Sequence, residues 1–387
     1  MSTYARKDIN FTKGEGVWLW EQNGEKYLDA LSGIAVCGLG HAHPKIAEVI
    51  CRQAGTLLHT SNIYRINAQE QLSERLCRIS NMDRAFFCNS GAEANEAAIK
   101  LARLHGNQRN IETPTIIVCE NSFHGRTMAT LSATGNEKVH TGFEPLVAGF
   151  IRVPYDDSEA IAQICRNNAS VCAILVEPIQ GEGGIHIPEE SYLQELRSIC
   201  DQHDLLLMLD EVQTGNGRTG KWFACHHQQI LPDVMTTAKG LGNGMPIGAC
   251  LARGKAAELF GPGSHGSTFG GNPLACATAL QVLTIIEDEN LLSHAFEMGK
   301  LLVDTLKHEF SDHPLVKEVR GSGLMIGIEL TTQCPDIVDI ALKRKLLINV
   351  TAGNVIRLLP PLITSQAEIA LIASILSECI KDFQQQL

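Results

Sequence analysis

The sequence is short of the features that mark several classes of protein. Only 19% of its 387 residues are charged, and 32 Lys and Arg face 43 Asp and Glu, a net charge of −11. That balance argues against nucleic acid, because duplex binding needs a basic face. No apolar run reaches the ~18 residues that span a membrane, and the N-terminus has no apolar signal core. We therefore expect a cytoplasmic protein with no nucleic-acid or membrane partner.

Ligand-like spacings of cysteine and histidine are also missing. The 13 cysteines are odd in number, and none forms a CxxC pair. Two histidine pairs, His41 with His43 and His226 with His227, have no acid or cysteine at ligand spacing. We expect reduced thiols, no disulfide framework and no metal site.

The order of apolar patterns indicates an α/β fold. "PTIIVCE", "CAILVEPI" and "LLLMLDEV" are short apolar runs typical of strands buried on both faces of a parallel sheet. Near the N-terminus, "GVWLWEQNGEKYLDALSG" predicts a hairpin that turns at Asn23-Gly24. We predict a large, mostly parallel-sheet α/β domain over 61–280 and a smaller α+β domain over 281–387, to which residues 1–60 contribute.

Two residues stand where the predicted sheet would bind a ligand. Asp210 ends an apolar strand, and ligands of open parallel sheets bind beyond such carboxyl ends. Lys239 follows a mainly apolar stretch and precedes a glycine-rich turn. Burial lowers the pKa of a lysine and makes it a nucleophile and Schiff-base former. A capping aspartate and a surface lysine remain the ordinary alternatives.

A third segment, "FFCNSGAEANEAAIKLA", passes from a strand into a helix that starts near Ser90. A helix N-terminus favours phosphate, although a plain N-cap by Ser90 explains the pattern equally well. The segment is neither a GxxxxGK[ST] loop nor a GxGxxG fingerprint. Together the three features supply an anion cradle, a carboxylate and a Schiff-base lysine, which are the groups that a binding site for pyridoxal 5'-phosphate (PLP) requires.

The chain resembles the class III, or ω-, aminotransferases, which are fold type I PLP enzymes. The resemblance covers nearly the whole sequence and implies a fold type I PLP transferase, with PLP as cofactor and a homodimer that shares its active sites. It rests on these segments, in the family's order: "GIAVCGLGHAHP", "CNSGAEANEAAIKLAR", "NSFHGRT", "VEPIQGEGG", "LDEVQTGNGRTGKWFA", "GSTFGGNPLACA" and "GSGLMIGIEL".

The resemblance assigns cofactor roles to matching residues. Lys239 would form the Schiff base with PLP and then act as the catalytic base. Asp210 would pair with the pyridine nitrogen and Gln213 with the phenolic oxygen. Phe123 and Val212 would pack on the two faces of the ring.

The phosphate would bind the backbone of Gly91 and Ala92, with Thr268 supplied by the neighbouring subunit. Many relatives have threonine in place of Ala92, so this chain lacks one hydroxyl there. A pair of loop hydroxyls is the alternative explanation of Ser267 and Thr268.

Substrate roles also follow from the resemblance. Arg126 would clamp the substrate α-carboxylate, and Ser267 would touch the substrate from the second subunit. Arg357 would bind a second carboxylate and Glu182 would neutralise it in one half-reaction, unless the two form a static ion pair.

The substrate expected from these residues is N2-acetylornithine, with 2-oxoglutarate as acceptor in a ping-pong reaction through pyridoxamine phosphate. Ornithine enzymes usually carry tyrosine in place of Ile34, and 4-aminobutyrate enzymes tend to have glycine in place of Ser267. Succinylornithine and succinyldiaminopimelate stay open as donors. A fold type I racemase or aminomutase and a non-enzymatic PLP binder are the alternatives outside this class.

Overall fold

The computed structural model describes the whole chain, Met1–Leu387. Its N-terminal segment contains the predicted hairpin, in which two strands pair antiparallel around Asn23 and Gly24. The elements of this segment are β1 (Phe11–Glu15), β2 (Trp18–Glu21), β3 (Lys26–Asp29), α1 (Ser32–Ala35) and α2 (Pro44–Ala54).

The middle of the chain alternates helices with strands. Its elements are α3 (Asn67–Ser80), β4 (Arg84–Cys88), α4 (Gly91–Gln108), β5 (Thr115–Cys119), α5 (Met128–Ala133), β6 (Phe150–Val153), α6 (Ser158–Asn167), β7 (Val171–Val176), α7 (Tyr192–His203), β8 (Leu206–Asp210), β9 (Val234–Thr237) and β10 (Gly248–Ala252). The strands form one sheet in the order β4-β10-β9-β8-β7-β5-β6. Pairings among β5 to β9 are parallel, and β10 runs antiparallel to both of its neighbours. The predicted α/β fold with a mostly parallel sheet is confirmed.

The burial of this sheet explains its apolar strands. Every residue of β5, β7, β8 and β9 is buried, because helices cover both faces. A parallel sheet covered in this way needs no polar alternation along its strands. Polar side chains are therefore expected at the edge of the sheet where the parallel strands have their carboxyl ends.

The C-terminal part is built on a smaller antiparallel sheet in the order β11-β12-β15-β14. Its elements are α8 (Pro273–Asp288), α9 (Leu291–Glu309), β11 (Val316–Ser322), β12 (Met325–Leu330), α10 (Ile337–Lys343), β13 (Leu346–Leu347), β14 (Asn349–Thr351), β15 (Val355–Leu358) and α11 (Gln366–Gln384). A break at Asn290, whose φ is 51°, separates α8 from α9.

The N-terminal and C-terminal segments share one apolar core. β13 pairs in parallel with β3, and Val17 and Leu28 belong to the same cluster as Leu376 and Phe383 of α11. These contacts support our proposed division into 1–60, 61–280 and 281–387. The proposed boundary at 280 falls inside α8, which joins the two units, because Ala279 belongs to the core of the large sheet and Ile286 to the core that the two ends share.

Two whole-chain features complete the description. All thirteen cysteines are free thiols, and ten of them are buried. None of the helices combines the length and the apolar character that crossing a membrane requires.

Candidate active site

A cavity of about 390 Å³ opens at the carboxyl edge of the large sheet. Its walls come from the start of α4, the loop after β5 and the ends of β8 and β9. Eight residues singled out in the sequence line it: Gly91, Ala92, Phe123, Arg126, Asp210, Val212, Gln213 and Lys239. Residues more than a hundred positions apart therefore meet around one space, as the crevice rule for parallel sheets predicts.

Lys239 begins a short 3-10 turn directly after β9, with a left-handed φ of 44°. This turn directs the lysine to the cavity rather than back along the strand. Desolvation lowers the pKa of Lys239, an effect that the Glu182 carboxylate opposes and the charge of Arg357 reinforces. A lysine that loses its proton more readily is a better amine nucleophile and proton acceptor.

Asp210 is buried, with 4% of its surface exposed, and its carboxylate is bonded on both oxygens. Oδ2 accepts a hydrogen bond of 2.7 Å from Asn95 Nδ2 and lies 2.8 Å from His124 Nδ1. Oδ1 accepts from the backbone N–H of Val212 at 3.0 Å. These bonds fix the carboxylate at the cavity wall, where it faces any cation or protonated ring nitrogen bound there.

Asn95 and His124 were not among the residues predicted from the sequence. Asn95 lies one helical turn after Gly91, and His124 belongs to "NSFHGRT", so both stand in segments that carried the resemblance. His124 is buried, and its Nε2 has no hydrogen-bond partner. Helical spacing from Gly91 was the available signal for Asn95.

The start of α4 combines a side-chain cap with backbone N–H groups that can bind an anion. Ser90 caps the helix, because its hydroxyl accepts from the backbone N–H of Glu93 at 3.2 Å. The N–H groups of Gly91 and Ala92 precede the helical hydrogen bonds and stay available for an anion. A Cβ on Gly91 would lie 2.6 Å from Val212 Cγ1, so only glycine lets the helix start approach the β8 loop.

Phe123 and Arg126 lie in the loop between β5 and α5. The Arg126 guanidinium carbon is 5.6 Å from the Phe123 ring centroid, a cation–π distance. Arg126 is exposed to the cavity and free to meet a carboxylate. The position of Phe123 is fixed by Glu177, whose Oε2 accepts from the Phe123 backbone N–H at 3.0 Å.

Glu177 is a third residue that the sequence analysis did not predict. Its other oxygen accepts from the backbone N–H of Gly181 at 3.2 Å, so one buried carboxyl joins two loops of the cavity. Burial raises the pKa of Glu177 to about 7, an effect that the nearby His124 opposes. Its position straight after β7, beside "QGEGG", was the available signal.

Glu182 and Arg357 form an ion pair beside the cavity rather than in its wall. Arg357 Nη1 donates to Glu182 Oε1 at 2.7 Å and to Gln213 Oε1 at 3.2 Å. The Arg357 side chain is fully buried, with 0% exposed, against 34% for Glu182. Burial opposes ionisation of Glu182, but the charge and hydrogen bond of Arg357 outweigh it and lower the Glu182 pKa.

Ser267 and Thr268 do not line the cavity. Ser267 Oγ accepts from Asn89 Nδ2 at 3.3 Å and from the Gly270 backbone N–H at 3.0 Å. Thr268 is exposed on the protein surface. Within one chain the structure brings together ten of the twelve predicted residues at or beside the cavity and leaves these two outside it.

Comparison with known proteins agrees with this geometry. The family model of the class III aminotransferases matches residues 2–380. The acetylornithine aminotransferase of Nitrosomonas europaea is 59% identical over 368 residues, 95% of this chain and 94% of its own.

Two solved structures show the same fold. One is the acetylornithine aminotransferase of Elizabethkingia anophelis, 35% identical with a TM-score of 0.88, which covers 99% of this chain and 96% of its own. The other is the ornithine aminotransferase of Toxoplasma gondii with PLP at partial occupancy in its active site. It is 33% identical with a TM-score of 0.95 and covers 100% of this chain and 93% of its own.

The chain belongs to the class III aminotransferase family. It is a PLP-dependent enzyme of fold type I that moves an amino group from a donor to a keto acid. The site fits PLP, because a buried carboxylate, a lysine of lowered pKa and an open helix start surround one cavity. When bound, PLP supplies the electron sink that stabilises a carbanion at the substrate carbon.

Proposed function

We propose that this enzyme transfers the terminal amino group of N2-acetylornithine to 2-oxoglutarate, as a step in arginine biosynthesis. The reaction is ping-pong, so the donor reacts and its product leaves before the acceptor binds at the same site. The 59% identical relative from Nitrosomonas europaea and the resemblance at Ile34 and Ser267 support this donor. The observation that carries the proposal is the ion pair between Glu182 and Arg357.

The two substrates make opposite demands on one pocket. Acetylornithine reacts at an amine far from its carboxylate, whereas 2-oxoglutarate reacts beside one. Arg357 lies against Gln213 of the cavity wall, so its charge reaches the reacting end of the site. Glu182 neutralises that charge in the first half-reaction and releases it in the second, and its partly exposed position leaves room to move.

In this proposal the cavity residues keep the roles that the resemblance gave them. Lys239 holds and moves the proton at the substrate carbon. Asp210 would keep a proton on the ring nitrogen of PLP, Gln213 would bond the phenolic oxygen, and Phe123 and Val212 would enclose the ring. Gly91 and Ala92 bind the phosphate, and Arg126 binds the α-carboxylate of the donor.

A panel of amine donors tests the proposed function. With 2-oxoglutarate as acceptor, kcat/KM is expected to be highest for acetylornithine or succinylornithine and lower for free ornithine and 4-aminobutyrate. A preference for either unacylated amine would contradict the proposal. Product formation without any keto acid would instead identify a racemase or aminomutase.

Removing the charge of Glu182 is expected to change which substrates are used. In Glu182→Gln the charge of Arg357 is no longer neutralised during the donor half-reaction, so kcat/KM for acetylornithine falls about tenfold. Glutamate, which presents a carboxylate at that position, keeps or gains activity as donor. The half-reaction of each donor without a keto acid, followed by the visible absorption of the cofactor, measures the change, and Glu190→Gln, at an exposed acid eight residues along the chain, is the control. An equal loss with both donors would argue for a static ion pair.

We also propose a homodimer, with Thr268 bound to the phosphate of the partner's cofactor and Ser267 near its substrate. The exposed Thr268 precedes the exposed Phe269, whose ring centroid lies 5.3 Å from that of His59, and the chain around His59 exposes Leu57, Leu58, Ile63 and Tyr64. Asn62 ties these segments together, because its Nδ2 donates to the carbonyls of Ser267 at 3.0 Å and Gly270 at 2.9 Å. An apolar patch of this kind is typical of a subunit interface.

Charge in this patch is expected to break the dimer. Ile63→Asp should shift the sedimenting species from a dimer toward the 42.1 kDa monomer and weaken PLP retention, since one phosphate ligand leaves with the partner. Analytical ultracentrifugation and the cofactor-to-protein ratio after dialysis measure the two effects. Leu371→Asp, at an exposed leucine of α11, is the matched control. A monomeric variant that retains PLP normally would contradict the shared site.

A further inference from the structure

Strand β14 contacts both members of the Glu182–Arg357 pair. Asn349 and Thr351 are two residues apart and therefore face the same side of the strand. Asn349 Oδ1 accepts a hydrogen bond of 3.2 Å from Arg357 Nε, and the Thr351 hydroxyl donates to the Glu182 carbonyl. Asn349 also stands directly opposite Arg357 in the ladder between β14 and β15.

The three nitrogens of the Arg357 guanidinium differ in their hydrogen-bond partners. Nε is bonded to Asn349, and Nη1 is shared between Glu182 and Gln213. Nη2 is buried and has no partner. A buried donor without an acceptor is costly, so its presence in a fully buried side chain points to a ligand that completes it.

This arrangement leaves one edge of the guanidinium for a substrate. When Glu182 withdraws, Nη1 and Nη2 together present the two parallel N–H groups that bind a carboxylate bidentately. Nε stays bonded to Asn349 in both half-reactions. The guanidinium plane therefore keeps its orientation when Glu182 moves away. Asn349 is neutral and adds no negative charge that would compete with the substrate carboxylate.

We propose that Asn349 is a positioning residue for the keto-acid half-reaction, holding Arg357 in the orientation that binds the acceptor's carboxylate. The proposal rests on the function proposed above for Arg357. It acts on the acceptor alone, because Arg357 is neutralised by Glu182 while the donor is bound.

The test replaces Asn349 with leucine, which has a similar size but no acceptor. In N349L we expect KM for 2-oxoglutarate to rise about tenfold, with kcat and the donor KM within about twofold of the wild type. Binding of glutarate, an unreactive dicarboxylate, to the pyridoxamine phosphate form, which is the form that meets the keto acid, should weaken by the same factor in calorimetry. Equal changes in the donor and acceptor KM, or unchanged glutarate binding, would overturn the proposal.

Asn354 offers a matched control in the same hairpin. Its Nδ2 donates to the Leu330 carbonyl at 2.9 Å, and no hydrogen bond joins it to Arg357. N354A should lower the melting temperature without changing the ratio of the two KM values. If N349L does not fold, N349S removes the same bond with a smaller, polar side chain and should show the same selective loss for glutarate.

The donor half-reaction separates this proposal from the proposed function. Acetylornithine alone should bleach the visible absorption of the cofactor at the same rate in wild type and N349L. If neither protein responds to acetylornithine, the proposed donor is wrong. If both respond and glutarate binds both equally, the role of Asn349 is wrong.

Discussion

Replacing Lys239 with alanine is expected to reduce kcat by about 10⁴-fold, at the upper end of what a positioned base contributes. The variant loses both the amine that anchors the cofactor and the group that moves the substrate proton. No other lysine lines the cavity, so none can take over either task. Steady-state kinetics measures the loss, and the visible spectrum should lose the band of the lysine-bound cofactor.

A chemical trap gives an independent readout of the same prediction. Borohydride reduction of the wild type should fix the cofactor on the peptide that contains Lys239, as mass spectrometry would show. Lys255→Ala, at a lysine that bonds Asp204 and does not line the cavity, should behave like the wild type in both assays. If Lys239→Ala kept the band or the labelled peptide, the assignment of Lys239 as the Schiff-base lysine would be wrong.

The sequence predicts a site residue where the neighbouring residues alone give a physical reason to place it at the site. Asp210 ends an apolar strand, and the crevice rule then places it at the cavity, where the structure has it. Gly91 starts a helix after a strand, and the same rule applies. The fold class could be predicted because strands that are buried on both faces of a sheet appear in the sequence as unbroken apolar runs.

The residues that were missed depend on contacts between distant parts of the chain. His124 and Asn95 meet Asp210 across 86 and 115 residues, and no local pattern encodes such a meeting. Asn349 was missed for a different reason: Arg357 is only eight residues away, but the pairing register of their short hairpin, which brings them together, could not be predicted from the sequence. Glu182 and Arg357, 175 residues apart, were paired only through the family resemblance.

The network around Asp210 also explains why a small change there should have a large effect. Asn95, His124 and the Val212 N–H hold the carboxylate, so its charge is preorganised at the cavity wall. In Asp210→Asn the shape is kept, but the charge that keeps a proton on the ring nitrogen is lost. We expect kcat to fall about 10³-fold, as for removal of one preorganised electrostatic group.

The accompanying changes distinguish this loss from a collapsed site. Because Arg126 and Arg357 are untouched, the binding of glutarate to Asp210→Asn should stay within about twofold of the wild type. Asp210→Glu restores the charge at a displaced position and should recover part of the rate, with kcat between those of the wild type and Asp210→Asn. The three proteins are compared by kcat, glutarate calorimetry and melting temperature. If Asp210→Asn retained wild-type kcat while still holding the cofactor, catalysis would not depend on the charge of this carboxylate, and its proposed role toward the ring nitrogen would be wrong.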